Sequence, residues 1–414
     1  MMLKKRTALF LALAVLLMSL SGCAVMKLIE GQEQIPSPTP SAAPSPALTP
    51  KPSPSPTLLP TPQPTPAESD IPASNPISDR TEEITASMAL EEKVGQMFIV
   101  RCPEYRAAED IQAYHIGNLI LFGRDFKEST REEVIEKVKS YQLASRLPML
   151  IGVDEEGGEV TRISRYPQFG EERYPSPRDL YKIGGLDKIL AEEGDKIAML
   201  KSLGINMNFA PVADIALDDK DYMYSRSLGQ PPEITADFVA GITRLYAENG
   251  MACAIKHFPG YGNNADTHEG IAVDKRNIEG FEEKDLVPFY AGMDSGMPAV
   301  LVSHNIVECF DHVNPASLSP AIHEYIRNTM GFDGVLITDD LTMRAIKNYT
   351  DDKAAAVTAI KAGNDLLCCT NYQEQIPAVI EACRNGEISE ERIDESVKRI
   401  LRWKLNLGII DPNA

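Results

Sequence analysis

Two short stretches concentrate side chains able to move protons or attack carbon. The first, KHFPGYGNNADTH (256–268), places Asp266 and His268 two residues apart on a segment rich in Gly, Pro and Asn. A carboxylate beside an imidazole raises its basicity, and such a pair gives and takes protons near neutral pH. The second, GVLITDDLTM (334–343), ends an apolar run on Asp339 and Asp340. A carboxylate at such a tip serves as a nucleophile or stabilises a developing cation. Its neighbour is expected to cap the following helix, and that task is assigned to Asp340. A competing reading gathers His257, His268 and His304 with nearby aspartates around a metal ion.

These residues need elements to position them. After about Asp79, short apolar runs alternate with longer amphipathic stretches, the pattern of βα units and a parallel sheet. The runs are MFIV (97–100), NLILF (118–122), PMLIGV (148–153), INMNFAPV (205–212), ACAIK (252–256), PAVLVS (298–303), GVLIT (334–338) and DLLCC (365–369). Between them lie helical patterns such as STREEVIEKVKSYQLASR and PEITADFVAGITRLYAENG. Eight units fit an α/β fold of the (β/α)8 TIM-barrel type, with a doubly wound sheet as the alternative. The runs are followed by Arg101, Arg124 and Asp125, Asp154, Asp214, Lys256 and His257, His304, Asp339, and Thr370. A ring of charged and hydrogen-bonding groups at strand C-termini is where barrel enzymes build their sites, so an enzyme is expected. Metal-dependent hydrolytic barrels usually begin with H-x-H after the first strand, where this chain reads VRCPEY. No Cys/His metal spacing occurs either, so no metal and no other cofactor is expected.

The formal net charge of -19 disfavours nucleic acid as a partner. Residues 1–22 read as an export signal: Lys4, Lys5 and Arg6 precede an apolar run from Ala8 to Leu20, too short for a membrane span. The signal ends in LSGC (20–23), which resembles the lipobox of bacterial lipoproteins. That resemblance implies cleavage before Cys23, lipidation of Cys23, and anchoring to the outer face of the cell membrane. Residues 23–77 form a Pro/Ser/Thr-rich linker that favours polyproline II and cannot pack a core. At ~3.1 Å per residue it reaches on the order of 100 Å. The catalytic barrel is assigned to 78–414. Its six cysteines are read as buried thiols, not as a disulfide framework.

Six motifs in order resemble glycoside hydrolase family 3, in its branch of single-domain β-N-acetylhexosaminidases. They are GVDEEGGEVTRI (152–163), NFAPVADI (208–215), RSLG (226–229), KHFPGYGNNADTH (256–268), VSHN (302–305) and GVLITDDLTM (334–343). By that resemblance Asp339 is the nucleophile, His268 the general acid/base and Asp266 its partner. Asp154, Arg162, Arg226, Lys256 and His257 grip the sugar.

The resemblance implies a retaining exo-β-N-acetylglucosaminidase that works through a covalent glycosyl-Asp339 intermediate. It further implies a carbohydrate substrate, a muropeptide or an N-acetylglucosamine oligosaccharide, and a monomer. The alternatives are a phosphorylase or β-glucosidase on the same site, or a non-catalytic sugar-binding lipoprotein. Two positions depart from the family pattern: Tyr261 stands where His is usual, with an expected effect on the loop. Glu155 stands where Gln is usual, and is expected to add charge near Asp154.

Overall fold

Each of the eight apolar runs becomes a strand in the computed structural model. It describes residues 75–413 except 265, 268, 269 and 297. The export signal, Cys23, the linker up to residue 74 and His268 lie outside the described residues. The strands in chain order are β1 (Phe98–Arg101), β2 (Asn118–Leu121), β3 (Leu150–Val153), β4 (Met207–Asn208), β5 (Ala252–Phe258), β6 (Val273–Asp274), β7 (Ala299–Val302), β8 (Ile306–Val307), β9 (Leu336–Thr338) and β10 (Leu367–Cys369). Eight of them form one parallel sheet in the order β10-β1-β2-β3-β4-β5-β7-β9. A bridge between Ile337 and Leu366 joins β9 back to β10 and closes the barrel.

Local chemistry explains the element boundaries. The run 205–212 shrinks to two residues of regular strand at β4, because Pro211 has no N–H to give a ladder. Pairing with β5 resumes beyond it, with Lys256 N–H donating to Pro211 O at 3.1 Å and Ala213 N–H to Lys256 O at 2.6 Å. The helix Arg131–Ala144 opens on a capping box in which Thr130 accepts from Glu133 N and Glu133 answers to Thr130 N. The helix Pro232–Glu248 turns Phe238, Val239, Ile242 and Tyr246 inward, the three-and-four spacing of a core-facing stripe. β6 and β8 are two residues each and pair with one another outside the barrel. Strands this short leave no periodic signal.

The last helix, Glu390–Asn406, buries Val397, Ile400 and Leu401 together with the fully buried Lys404. The Lys404 ammonium donates to Gln96 Oε1 at 2.9 Å and to Gly117 O at 3.2 Å, just ahead of β1 and β2. Burial pushes its pKa down from 10.5 to about 7. Between those values the unfolded chain holds a proton that the folded chain lacks, so stability rises with pH across that window and the full penalty applies below it. Lys404→Met is therefore expected to raise the melting temperature by several degrees at pH 6 and by clearly less at pH 9.5. Equal shifts at both pH values would contradict a charged, desolvated lysine.

Among the six described cysteines, Cys102, Cys253, Cys368, Cys369 and Cys383 are buried as expected, whereas Cys309 is exposed. Cys309 follows β8 in a turn, outside any strand, and the buried reading does not hold for it.

Candidate active site

The C-terminal ends of the strands open onto a cavity of about 640 Å³, and Asp154, Arg162, Arg226, Lys256, His257 and Asp339 all line it. Five strand termini supply the arrangement. Asp154 follows β3, Lys256 and His257 close β5, and Asp339 follows β9. Asp214 comes from the segment after β4, and Arg101 ends β1.

The floor is a linked set of charges. Lys256 Nζ lies 2.8 Å from Asp154 Oδ1 and 2.7 Å from Glu156 Oε1, with the lysine and glutamate side chains 3% and 2% exposed. Arg226 grips Glu156 in a fork, Nη2 to Oε1 at 2.6 Å and Nε to Oε2 at 3.0 Å. The second oxygen of Asp154 accepts from Arg162 Nη2 at 3.4 Å. Burial alone would push the Glu156 carboxyl up, yet Arg226 and then Lys256 pull it well below the usual carboxylate range. The Lys256 ammonium, although buried, is raised by Asp154 and Glu156 and stays charged. Charges this deep persist only because they are paired, and their pairing fixes their positions.

His257 is held from behind. Its Nδ1 meets Asp214 Oδ2 at 2.7 Å, and its Nε2 lies 3.3 Å from Arg226 Nη2. Asp214 also accepts from the backbone N–H groups of His257 at 3.0 Å and Tyr261 at 2.8 Å. The Tyr261 ring stands edge-on to His257 with centroids 5.2 Å apart, and its hydroxyl meets Thr267 Oγ1 at 2.6 Å. Burial, with help from the nearby Asp339 charge, raises the Tyr261 hydroxyl well above its ordinary pKa, so it stays protonated. Tyr261 thus fastens one part of the 256–268 segment to another.

Asp339 sits at the mouth of β9. Its N–H donates to Val302 O at 3.1 Å, and its Oδ1 accepts from Asp340 N at 2.8 Å. Asp340 was expected to cap the next helix. That helix, Arg344–Lys347, instead starts after Met343. Asp340 Oδ1 accepts from the N–H and hydroxyl of Thr342, both at 2.8 Å, and Oδ2 accepts from Thr370 Oγ1 at 2.8 Å. The side chain closes a turn before the helix, since three residues of loop separate the two. His304, one member of the metal reading, is fully buried. Its Nδ1 meets Ser317 Oγ at 2.7 Å and its Nε2 meets Asp340 O at 3.0 Å, so it supports main chain behind Asp339.

Glu155 is tied to main chain: its carboxylate accepts from the N–H groups of Arg162, Ile163 and Ser164 at 2.7, 2.8 and 3.2 Å. Three amide donors need an acceptor, and the second oxygen of a carboxylate suits them better than an amide would. Arg124 and Asp125 also leave the expected ring: Asp125 accepts from Phe122 N at 2.7 Å, and Arg124 reaches the Cys102 carbonyl.

Asp266 lies near the Tyr222 hydroxyl, and burial together with that carboxylate pushes the Tyr222 pKa up to about 12. Its pairing with His268 lies outside the described residues. Glu156 and Tyr222 went unassigned in the sequence. Glu156 had a signal, as the second glutamate of the DEEGG turn, whereas Tyr222 stands in a stretch with no recognisable motif.

Residues 89–403 match the glycosyl hydrolase family 3 N-terminal domain. The chain is 33% identical to a beta-hexosaminidase of Nitrosomonas eutropha over 265 residues, covering 62% of this chain and 74% of that one. It is 30% identical to a beta-hexosaminidase of Mycobacterium tuberculosis, covering 78% of this chain and 84% of that one. Among solved structures, a glycoside hydrolase family 3 beta-N-acetylglucosaminidase from Paenibacillus sp. superposes with a TM-score of 0.72 at 30% identity. That match covers 78% of this chain and 63% of the Paenibacillus protein, so the present chain spans less than two thirds of it.

Proposed function

The chain belongs to glycosyl hydrolase family 3, and from that membership we propose that it is a glycosidase removing terminal β-linked N-acetylglucosamine, with retention of configuration. The observation that carries the reading is a carboxylate, Asp339, facing the same cavity as Asp154, Lys256 and Arg226, whose paired charges are joined by the buried Glu156. Paired ions with unused hydrogen-bonding capacity recognise a polyhydroxylated ring, which carries no charge and many hydroxyls.

In the proposed sequence the sugar binds against this floor. One Asp339 oxygen attacks the anomeric carbon while the bond to the aglycone oxygen breaks and His268 delivers a proton to that oxygen. Asp266 is assigned the role of orienting the imidazole. In the second half, His268 takes a proton from water, the water oxygen attacks the anomeric carbon, and Asp339 leaves as a carboxylate. The substrate source we assign is peptidoglycan fragments. The support is the lipobox-like LSGC and the proline-rich linker, which suit an exported protein anchored through Cys23 to the outer face of the membrane.

The test is release of 4-nitrophenol from its N-acetyl-β-D-glucosaminide beside the matched β-glucoside, with EDTA and with phosphate as separate arms. Expected is hydrolysis of the acetamido sugar, at least about tenfold faster than the glucoside, unchanged by EDTA and giving free sugar in phosphate buffer. Silence on both sugars from folded protein would overturn the enzyme reading, and sugar 1-phosphate would make it a phosphorylase.

A further inference from the structure

The segment from Pro259 to Asp274 brings Tyr261 to the cavity, carries Asp266 and Thr267 beyond it, and returns to the scaffold at β6. Both of its feet converge on one guanidinium that takes no part in the chemistry above. Arg276 Nη1 lies 2.6 Å from Asp285 Oδ2, its Nε and Nη2 bond Asp274 at 2.7–3.0 Å, and its Nη2 donates to Gly260 O at 3.3 Å. The guanidinium carbon lies 4.1 Å from the centre of the Phe281 ring, which closes its remaining face. Asp274 and Asp285 are buried, with side chains 3% and 1% exposed.

The outgoing foot lies directly on this pair. Gly260 and Gly262 have φ of 116° and 55°, where L side chains are strained. A Cβ at Gly260 would come within 2.7 Å of Asp285 Oδ1, and one at Gly262 within 2.6 Å of Arg276 Nη2. Asn264 Nδ2 ties the same stretch to Asp274 Oδ2 at 2.6 Å and to Tyr261 O at 2.9 Å. The returning foot is fixed by β6 against β8, with Ile306 N–H donating to Ala272 O and Glu308 N–H to Asp274 O, both at 2.9 Å. From Gly260 and Gly262 the constraint passes to Tyr261, whose hydroxyl holds Thr267 beside Asp266.

We propose that Arg276 is a positioning residue: by clamping both feet of the 259–274 segment to Asp274 and Asp285, it sets where that segment presents its proton-transfer groups to the leaving oxygen. The inference rests on the assignment of the acid/base to this segment. An ion pair with several buried partners holds geometry through a fork that a lysine lacks. Misplacement of a catalytic group by about 1 Å costs on the order of 100-fold. In the first step that cost falls only on substrates that need their leaving group protonated.

The experiment compares Arg276→Lys with wild type on two substrates, N,N′-diacetylchitobiose and 2,4-dinitrophenyl N-acetyl-β-D-glucosaminide. The chitobiose leaving alcohol needs a proton, whereas dinitrophenolate departs without one. The expected result is a loss in kcat/KM, which reads the first step, of about 100-fold on chitobiose and less than about threefold on the dinitrophenyl glycoside, with inhibition by N-acetylglucosamine unchanged. Asp285→Asn, which keeps the shape of the partner and removes its charge, is expected to show the same graded loss and serves if Arg276→Lys does not fold. Equal losses on both substrates, or none, overturn the inference. His268→Ala runs in parallel. If it is graded while Arg276→Lys is uniform, the clamp alone fails; if both are uniform, the acid assignment fails and the clamp with it.

Discussion

Replacing Asp339 by alanine is expected to lower kcat for 4-nitrophenyl N-acetyl-β-D-glucosaminide by at least about 10⁴-fold, the order seen when a nucleophile is removed from a catalytic set. The residue stands at the mouth of a barrel strand with one oxygen fixed by the Asp340 N–H. It faces a floor of paired charges that does not depend on it. Binding should therefore survive: inhibition by N-acetylglucosamine should change less than about tenfold, because the hydroxyl-facing groups remain in place. Asp339→Ala with added azide gives a sharper reading. A small anion fits the space left by the carboxylate and attacks the same carbon from the same face, releasing the opposite anomer as a glycosyl azide. Activity that survives Asp339→Ala within tenfold of wild type would remove Asp339 from the chemistry. Loss of binding together with activity would show that the substitution broke the pocket instead.

The second large effect is expected at Glu156. Removing its carboxylate leaves Lys256 and Arg226 facing one another in a buried site, with Asp154 as the nearest remaining counter-charge. Breaking a buried pair from one side destabilises by about 3–5 kcal/mol, because the abandoned charge stays desolvated. Glu156→Ala should lose that much in urea denaturation at pH 7, and its KM should rise as Lys256 and Arg226 shift. The sign of the pH dependence follows from a folded pKa below the ordinary 4.5. The stabilisation is fully present above that ordinary value and fades as pH falls below it, toward the folded pKa. The gap between wild type and Glu156→Ala should therefore narrow on acidification below about pH 4.5. A constant gap from pH 7 to pH 3 would contradict an ionised, paired glutamate.

Much of this architecture was legible in the chain because periodicity and burial agree. Runs such as MFIV and PMLIGV are apolar throughout, as strands covered on both faces must be, and all eight became barrel strands. The residues that follow them were legible for the same reason, since the barrel directs strand ends to one face. Failures occurred where a side chain's partner is far away in sequence. Nothing in side-chain type separates Glu155 from Glu156, yet one serves the 162–164 amides and the other serves Lys256, 100 residues further along the chain. Asp340 met the general preference of a carboxylate for a helix start, but the helix begins three residues late and the turn takes the side chain. β6, β8 and Arg276 were invisible for a different reason. Their structure is made by contacts between a loop and a neighbouring segment, and neither carries a period of its own.

The closure between β9 and β10 has a consequence for how long the active geometry lasts. Around the bridge at Ile337 and Leu366, Thr338 N–H donates to Leu366 O and Leu341 N–H to Cys368 O, both at 3.1 Å, and the N–H groups of Asp365 and Leu366 donate to Leu336 O at 2.9 and 3.0 Å. Side chains add to these four: Thr338 Oγ1 accepts from Cys368 N at 3.1 Å, and Thr370 Oγ1 reaches Asp340. Asp339 lies between these two threonine bonds in sequence. Local openings of a folded protein start where few backbone bonds must break together, and they occur far more often than complete unfolding. To free Asp339 at this seam, the four backbone bonds and both threonine bonds must break together, which makes such an opening rare. The active geometry then lasts as long as that edge stays closed, because Asp339 is mounted on it.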